Sequence, residues 1–279
     1  MVKKIILLLS LVYSAINFAQ VSVKITNSAD KNPVAYASIW KDKNMYKNAD
    51  SIGRFVVEKS DLEAEFKISA IGFQQKIFKI NKNESEIFLE PKAVQLEEVK
   101  IVKRKHEKKL KLGKASGGDS AYAGQYDSKS CKSAKFFPNN GNINGFLKSI
   151  KFKAGSSEGT RLLNVHFYSV DENGAPGEPL YNENLICKVK KGTRKINFEV
   201  DDLNIKFPEN GLFVVLETLL LEQNKQYSHF PGALPTSFVY EPFVYINFVD
   251  KDFDTWSFSD NKWNRNNKYS VNMEIVVSD

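Results

Sequence analysis

Short strand-like segments separated by turn residues dominate this chain, and no stretch repeats apolar residues with the 3.6-residue period of a long helix. Apolar and polar residues alternate in segments such as 21–26, 163–170 and 271–277. Glycine, proline, asparagine and aspartate cluster between such segments, about every 8–12 residues, where turns need positive or fixed φ angles. The sequence therefore predicts an all-β protein.

Residues 1–19 have the pattern of a secretory signal peptide. Lys3 and Lys4 precede an apolar run at 5–12, and Asn17-Phe-Ala19 before Gln20 forms a cleavage site. No later apolar run reaches the roughly 18 residues that a membrane-spanning helix needs. The sequence therefore predicts an exported protein without a transmembrane span.

Residues 20–279 exceed the roughly 100–150 residues of a usual single domain, which favours two domains. Residues 20–102 are predicted to form a seven-stranded β-sandwich and residues 125–279 a jelly-roll-like β-sandwich of about eight strands. Residues 103–124, first lysine-rich and then small and polar, are predicted to be a linker.

Four motifs in 20–102 follow one another in a fixed order. They are a strand of small residues after Pro33, the turn Asp50-Ser-Ile-Gly-Arg-Phe55, the pair Ser69 to Gly72-Phe73, and the closing segment 96–99. In this order they resemble the carboxypeptidase regulatory-like domain, a transthyretin-like (prealbumin-like) sandwich. The resemblance implies a binding or spacer module, found in exported proteins of Gram-negative bacteria and often placed before an outer-membrane receptor. The second block is loosely similar to accessory β-sandwiches of secreted hydrolases and surface proteins.

The net charge of +7 comes from one short segment, since residues 100–114 hold eight lysines and arginines against one glutamate. Two interpretations stay open for this segment: a self-repelling spacer, or a basic patch that contacts anionic lipid or lipopolysaccharide phosphate. Nucleic acid is not an expected partner, because aromatic and basic residues are segregated along the chain.

The residues that usually carry catalysis do not form a recognisable set. No two of His106, His166 and His229 have metal-ligand spacing, and the sequence contains no nucleophile-elbow, phosphate-loop or dinucleotide motif. The sequence therefore predicts no catalytic residues, no cofactor and no enzymatic activity. A secreted hydrolase assembled from distant residues is the weakest alternative.

Asp250, Asp252 and Asp254 have the spacing of the first half of a calcium loop. Thr255 stands where such a loop has glycine, and Asn261 where it has glutamate. The segment is therefore either a looser calcium site or a polar turn between strands.

Aromatic residues are concentrated in 227–263, and Tyr245, Trp256 and Trp263 lie close to turns and polar neighbours. Exposed rings beside polar side chains suit sugar stacking, so these three residues are candidate ligand contacts. The alternative is a hairpin in which the two tryptophans brace each other.

Taken together, these features predict a non-catalytic exported protein of the cell envelope that acts in binding, adhesion or scaffolding, with a glycan or a protein as ligand. The alternative function is that of an auxiliary partner of an outer-membrane uptake receptor. A periplasmic, outer-membrane-associated or secreted location fits either function.

Cys131 and Cys187 are the two cysteines of the chain, and in an exported protein they form either one disulfide or two buried free thiols. Non-reducing peptide mapping distinguishes the two states. A disulfide predicts one linked peptide that contains both cysteines, whereas recovery of two free thiols would exclude it.

Overall fold

The computed structural model describes residues 20–81, 85–92, 109–115, 120–121, 132–141, 143–227, 238–248, 254–259 and 261–278. This part of the chain is all-β, as predicted, with three short 3-10 turns at Lys59–Asp61, Asp201–Leu203 and Glu222–Asn224. No helix within it is long and apolar enough to cross a bilayer. The chain divides into two units, one made of residues up to 42 together with 49–91, the other of 43–48 together with 92–279.

Seven of the described strands lie between residues 20 and 89, whereas the seven strands predicted for 20–102 included one at 94–102. The seven described strands are β1 (Gln20–Asn27), β2 (Ser38–Lys41), β3 (Asn44–Asn48), β4 (Arg54–Glu58), β5 (Glu65–Ser69), β6 (Lys76–Lys79) and β7 (Glu86–Leu89). The sequence did not predict β3, and the predicted strand at 94–102 lies outside the described residues.

The first unit contains two sheets. In one, β1 pairs antiparallel with β4 and parallel with β7; in the other, β5 pairs antiparallel with β2 and β6. Alternate residues are buried on the central strands, with Val23 and Ile25 on β1 and Phe66 and Ile68 on β5 fully buried. The period of two seen in the sequence therefore gives each sheet one buried face.

The predicted turn at 50–55 forms with glycine in its expected role. The Asp50 carboxylate accepts hydrogen bonds from the N–H groups of Ile52 (2.9 Å) and Arg54 (2.8 Å). Gly53 has φ +74°, and a Cβ there would lie 2.6 Å from the carbonyl oxygen of Ile25. Only glycine fits this close approach, and the turn places Phe55 in the buried interior.

The described strands after β7 all belong to the second unit. They are β8 (Lys109–Lys114), β9 (Ser120–Ala121), β10 (Lys132–Phe137), β11 (Phe146–Ser156), β12 (Arg161–Val170), β13 (Pro176–Pro179), β14 (Leu185–Val189), β15 (Gly192–Glu199), β16 (Leu212–Thr218), β17 (Lys225–Tyr227), β18 (Phe238–Tyr240), β19 (Phe243–Asn247), β20 (Thr255–Ser259), β21 (Lys262–Asn266), β22 (Ser270–Val271) and β23 (Met273–Ser278).

Two seven-stranded sheets make up most of this unit. Sheet A has the order β13-β12-β16-β10-β20-β21, with β14 also paired to β12. Sheet B has the order β22-β19-β11-β23-β8, with β15 also paired to β11 and β9 to β19. Phe167 and Val214 of sheet A and Phe152 and Ile275 of sheet B belong to one buried cluster. The two sheets therefore enclose a common core, as in a β-sandwich.

The prediction of a linker at 103–124 is wrong for two segments of that range. Residues 109–114 form β8, which pairs antiparallel with β23 from Lys109–Ser278 to Lys114–Met273. Ser120–Ala121 forms β9, which pairs with β19. The other residues of that segment, and the predicted signal peptide at 1–19, lie outside the described residues.

A lysine crosses the core of the sandwich. Lys135 on β10 is fully buried, and its Nζ donates to the carbonyl oxygens of Val271 (3.1 Å) and Met273 (2.9 Å). On the neighbouring strand β20, the buried Thr255 hydroxyl accepts a hydrogen bond from the N–H of Val271 (2.9 Å). Two side chains of sheet A therefore bind the backbone of β22 and β23 in sheet B, a contact called here the inter-sheet stitch.

The variant Lys135→Met keeps the length of the side chain but removes both hydrogen bonds of the ammonium group. The free energy of unfolding should fall by about 3 kcal/mol, since buried carbonyls lose charge-assisted donors. Urea denaturation followed by circular dichroism measures the change. Lys188→Met, at an exposed position of β14, is the matched control and should change stability little. A Lys135→Met protein as stable as the wild type would contradict the role of the stitch.

Candidate functional site

Each sheet of the second unit has an outer face, turned away from the common core, and these faces differ in chemistry. On sheet A the outer face carries Lys132, His166 and Glu217 together with the rings of Phe136, Tyr168, Phe213, Trp256 and Trp263; it is called here the aromatic face. On sheet B the outer face carries a row of lysines and is called here the lysine face.

Three charged or ionisable groups meet on the aromatic face. His166 on β12 and Glu217 on β16 are 5% and 2% exposed, and the His166 Nε2 lies 2.7 Å from the Glu217 Oε2. The Nζ of Lys132 on β10 lies 3.4 Å from the other carboxylate oxygen. Because a carboxylate only accepts, the proton of this hydrogen bond sits on His166 Nε2.

The lysine and the histidine keep the buried carboxylate ionised. Burial by itself would raise the pKa of Glu217, but the charge of Lys132 and the hydrogen bond from His166 together lower it to about 2. The pKa of the neighbouring Tyr168 shifts in the opposite direction, because burial raises it.

The hairpin β20–β21 folds over this group. In the strand order of sheet A, Tyr168 on β12 and Trp263 on β21 are four strand spacings apart, or about 19 Å in a flat sheet. Their ring centroids are nevertheless 6.4 Å apart. Sheet A therefore coils strongly enough to bring the hairpin β20–β21 over the outer face of the same sheet. Trp256 packs edge-on against Phe213 at 6.0 Å.

This arrangement encloses the histidine–carboxylate pair. A general base has to reach the proton it removes, and both partners lie almost wholly buried among packed side chains. The second ring nitrogen, His166 Nδ1, is also buried and has no hydrogen-bond partner among the described residues. The pair therefore acts within the described structure as a buried charge network that anchors neighbouring strands.

The lysine face is built by four neighbouring strands of sheet B. Inward-pointing apolar residues alternate with outward-pointing polar ones, as on the central strand β11, where Phe152 and Ala154 are buried. The charged residues that share the outer face are five lysines and two glutamates: Lys109, Lys111, Lys151, Lys153, Lys195, Glu199 and Glu274.

The pairing on this face leaves an excess of positive charge. Glu274 lies beside Lys111 at 4.0 Å and opposite Lys151 in the β11–β23 register, so one carboxylate serves two lysines. Lys153 and Lys195 are directly opposite each other on β11 and β15. Like charges in that position destabilise a sheet. Lysines on an edge strand such as β8 discourage aggregation, but that explanation does not extend to the central strand β11.

Tyr245 lies next to this lysine pair. Its hydroxyl is 2.7 Å from the Thr193 Oγ1, and the Lys153 Nζ is 4.8 Å from its ring centroid. A Cβ at Gly155 would lie 3.2 Å from the Tyr245 Cε2, so the ring rests over a glycine. The ring is therefore held in one place on the lysine face.

The three predicted ligand contacts do not form one surface. Tyr245 is on the outer face of sheet B, whereas Trp256 and Trp263 are on the outer face of sheet A and pack against its apolar side chains. Trp263 lies 5.1 Å from Phe258 and Trp256 packs on Phe213, so each tryptophan supports the coiled hairpin through a different neighbour.

The calcium and disulfide hypotheses each rest partly on undescribed residues. Asp254 forms an ion pair with Arg265 (2.6 Å), while Asp250 and Asp252 lie outside the described residues. Within the described ranges, no group of three histidine, cysteine or carboxylate side chains could hold a metal. Cys187 is a buried free thiol whose pKa burial raises to about 11, and Cys131 lies outside the described residues.

Two further polar sites lie elsewhere in the chain. The buried Glu241 accepts hydrogen bonds from the Ser156 hydroxyl (3.1 Å), the Ser157 N–H (3.1 Å) and Arg161 (3.4 Å). In the first unit, an open polar pocket of about 340 Å³ is lined by Ser22, Lys24, Arg54, Ser85 and Glu86. Glu86 offsets part of the positive charge there, since its carboxylate lies 4.0 Å from Lys24.

Comparison with known proteins gives no family. No family profile matches the chain, and no curated protein matches it. A solved structure of infectious bursal disease virus, Gx strain, has 9% identity and a TM-score of 0.29 over 92% of this chain and 63% of that chain. A structure of T=1 particles derived from infectious bursal virus has 8% identity and a TM-score of 0.26 over 92% of this chain and 57% of the other. This chain thus covers less than two thirds of each, and similarities this low carry no functional argument.

The Glu217→Gln variant tests the buried charge network. Its free energy of unfolding at pH 7 should be lower by about 3 kcal/mol, because Lys132 loses its buried partner. Since the pKa of Glu217 is lowered on folding, its stabilising effect is complete above the ordinary value of 4.5 and disappears as the pH falls to about 2. Urea denaturation between pH 7 and pH 2 should therefore show a flatter profile for the variant than for the wild type. Parallel profiles would contradict the network.

Proposed function

We propose that this protein is an exported, non-catalytic protein of the cell envelope and that its second unit binds a negatively charged polymer on the lysine face. The observation that carries the proposal is the excess of lysines on one sheet face, including the directly opposed pair Lys153 and Lys195. Anionic groups would be attracted to a sheet face on which the described residues place five lysines and two glutamates. The positive charges of the lysine face would also attract an anionic polymer from a distance at low ionic strength.

The sequence before β8 supports the same partner chemistry. Residues 100–108 carry five further lysines and arginines, and they lead directly into the strand that supplies Lys109 and Lys111. The location outside the cytoplasm is proposed from the signal-peptide pattern at 1–19 and from the resemblance of 20–102 to a module of exported proteins.

Binding to dextran sulfate, with uncharged dextran as the reference, tests the proposal. The double variant Lys151→Gln and Lys195→Gln should lower the affinity for dextran sulfate about tenfold or more, since each lysine near an anionic surface contributes roughly 1 kcal/mol. The affinity of the wild type should also fall steeply as salt is added. Isothermal titration calorimetry at two salt concentrations measures both effects.

The matched control removes two lysines from the other sheet. Lys188 on β14 and Lys262 on β21 are exposed, and changing both to glutamine alters the net charge by the same amount. The control variant should bind nearly as well as the wild type. Equal losses in both double variants would show a general charge effect, and no preference for dextran sulfate over dextran would reject the proposed function.

A further inference from the structure

We infer that the first unit contains a binding pocket for a phosphorylated sugar, on the outer face of the sheet formed by β4, β1 and β7. Arg54 and Lys24 bind the phosphate monoester, and Glu86 accepts hydrogen bonds from the sugar hydroxyls. The pocket is independent of the proposed function, because the lysine face belongs to the second unit.

The alternation along three neighbouring strands places the charged groups of the pocket on one face. Val23 and Ile25 on β1 are fully buried, so Lys24 between them points to the outer face of the sheet. Arg54 on β4 and Glu86 on β7 are exposed positions of the same alternation. In the register of the sheet, Lys24 is paired with Arg54 on one side and with Glu86 on the other. The three side chains therefore start from adjacent strands, which are about 4.8 Å apart.

The pocket keeps an excess of positive charge. The Glu86 carboxylate lies 4.0 Å from the Lys24 Nζ and offsets that charge. No carboxylate of the described residues forms a salt bridge with the guanidinium group of Arg54, whose side chain is exposed. Guanidinium presents a planar fork of N–H donors that matches the oxygens of an anionic group. An anion is therefore the expected ligand of the pocket.

Two contacts hold the walls of the pocket in place before any ligand binds. The Asp50 carboxylate accepts a hydrogen bond from the Arg54 N–H (2.8 Å), which fixes the start of β4. The buried Thr26 hydroxyl donates to the Glu86 Oε1 (2.6 Å) and orients that carboxylate. The Glu86 Oε2 has no hydrogen-bond donor among the described residues, so it can accept one from a ligand. A prearranged site loses less conformational entropy on binding.

The size and the donors of the pocket favour a phosphorylated sugar over a bare ion or a simple carboxylate. Its volume of about 340 Å³ lies within the range of small-molecule sites, roughly 300–1,000 Å³. Ser22 and Ser85 add hydroxyl donors beside the two cations, which together exceed what the two oxygens of a carboxylate can use. The charge of Glu86 would repel a bare phosphate, but its open oxygen suits a sugar hydroxyl.

Isothermal titration calorimetry with glucose 6-phosphate, in a buffer without phosphate, tests the pocket. Arg54→Gln should lower the affinity about tenfold or more, because it removes charge-assisted hydrogen bonds to the phosphate. Lys79→Gln removes the same charge at an exposed position of β6, in the other sheet of the first unit, and is the matched control. Its affinity should stay close to that of the wild type. Glucose and glucuronate should bind more weakly than glucose 6-phosphate.

The Glu86→Gln variant tests the assignment of the sugar hydroxyls. Its affinity for inorganic phosphate should rise several-fold, because a neighbouring negative charge is removed. Its affinity for glucose 6-phosphate should not rise in parallel, because the hydroxyls lose a charged acceptor. The preference for glucose 6-phosphate over inorganic phosphate should therefore fall. An unchanged preference would contradict the role of Glu86 and with it the assignment of a sugar.

A measurement on the unaltered chain makes the test independent of how well the variants fold. When glucose 6-phosphate is added, the backbone amide NMR signals of Ser22, Lys24 and Arg54 should shift. Vesicles that carry lipid A, a phosphorylated sugar attached to acyl chains, represent a membrane-bound source of the same chemistry. The ligand that binds more tightly identifies the source, and Arg54→Gln should weaken the binding of either one.

The remaining outcomes separate this pocket from the proposed function. Equal losses in Arg54→Gln and Lys79→Gln, tighter binding of glucuronate, or NMR shifts confined to the lysine face would overturn the pocket. Binding of glucose 6-phosphate by a protein that does not bind dextran sulfate would support the pocket and reject only the proposed function. Circular dichroism and thermal unfolding show that each variant keeps the fold of the wild type.

Discussion

The sandwich of the second unit depends on the inter-sheet stitch, in which a buried ammonium group of one sheet binds the backbone of the other. Apolar contacts in a core are non-directional and tolerate sliding of one sheet over the other. Hydrogen bonds from Lys135 to Val271 and Met273, and from Val271 to Thr255, require one particular alignment. Burying the ammonium group is costly, and the carbonyl oxygens around it offset that cost. The alignment of the sheets in turn determines which residues reach the two outer faces.

Charged side chains are arranged differently on the two outer faces. On the aromatic face the buried carboxylate of Glu217 is paired with the half-buried Lys132, which is an arrangement for stability. On the lysine face positive charges predominate, and Lys153 and Lys195 lie opposite each other on the paired strands β11 and β15. This difference in charge between the two faces is the reason that the proposed anionic partner is assigned to the lysine face. For this reason the functional proposal rests on sheet B, although the sequence drew attention to the tryptophans of sheet A.

The sequence predicted the features that depend on neighbouring residues. The all-β class followed from the period of two, and the turn at Gly53 followed from the need for positive φ between two strands. It failed where charge density hid the same period, because the alternating lysines and leucines of 109–112 also have the composition of a charged linker. It could not have predicted the group of His166 and Glu217, since the two residues are 51 positions apart and meet only through the register of β12 and β16. Likewise, only the coiling of sheet A reveals that Trp263 is a packing residue.

The position of β8 has a consequence for how this protein can be divided. A fragment that begins at residue 125, where the sequence placed the second domain, would lack β8 and β9. The backbone N–H and C=O groups of β23 that pair with β8 would then be open along an edge next to the apolar core. Such an edge can add a strand from another molecule, so this fragment would tend to associate with itself. In the intact chain β8 is the edge strand instead, and its lysines discourage the addition of a further strand.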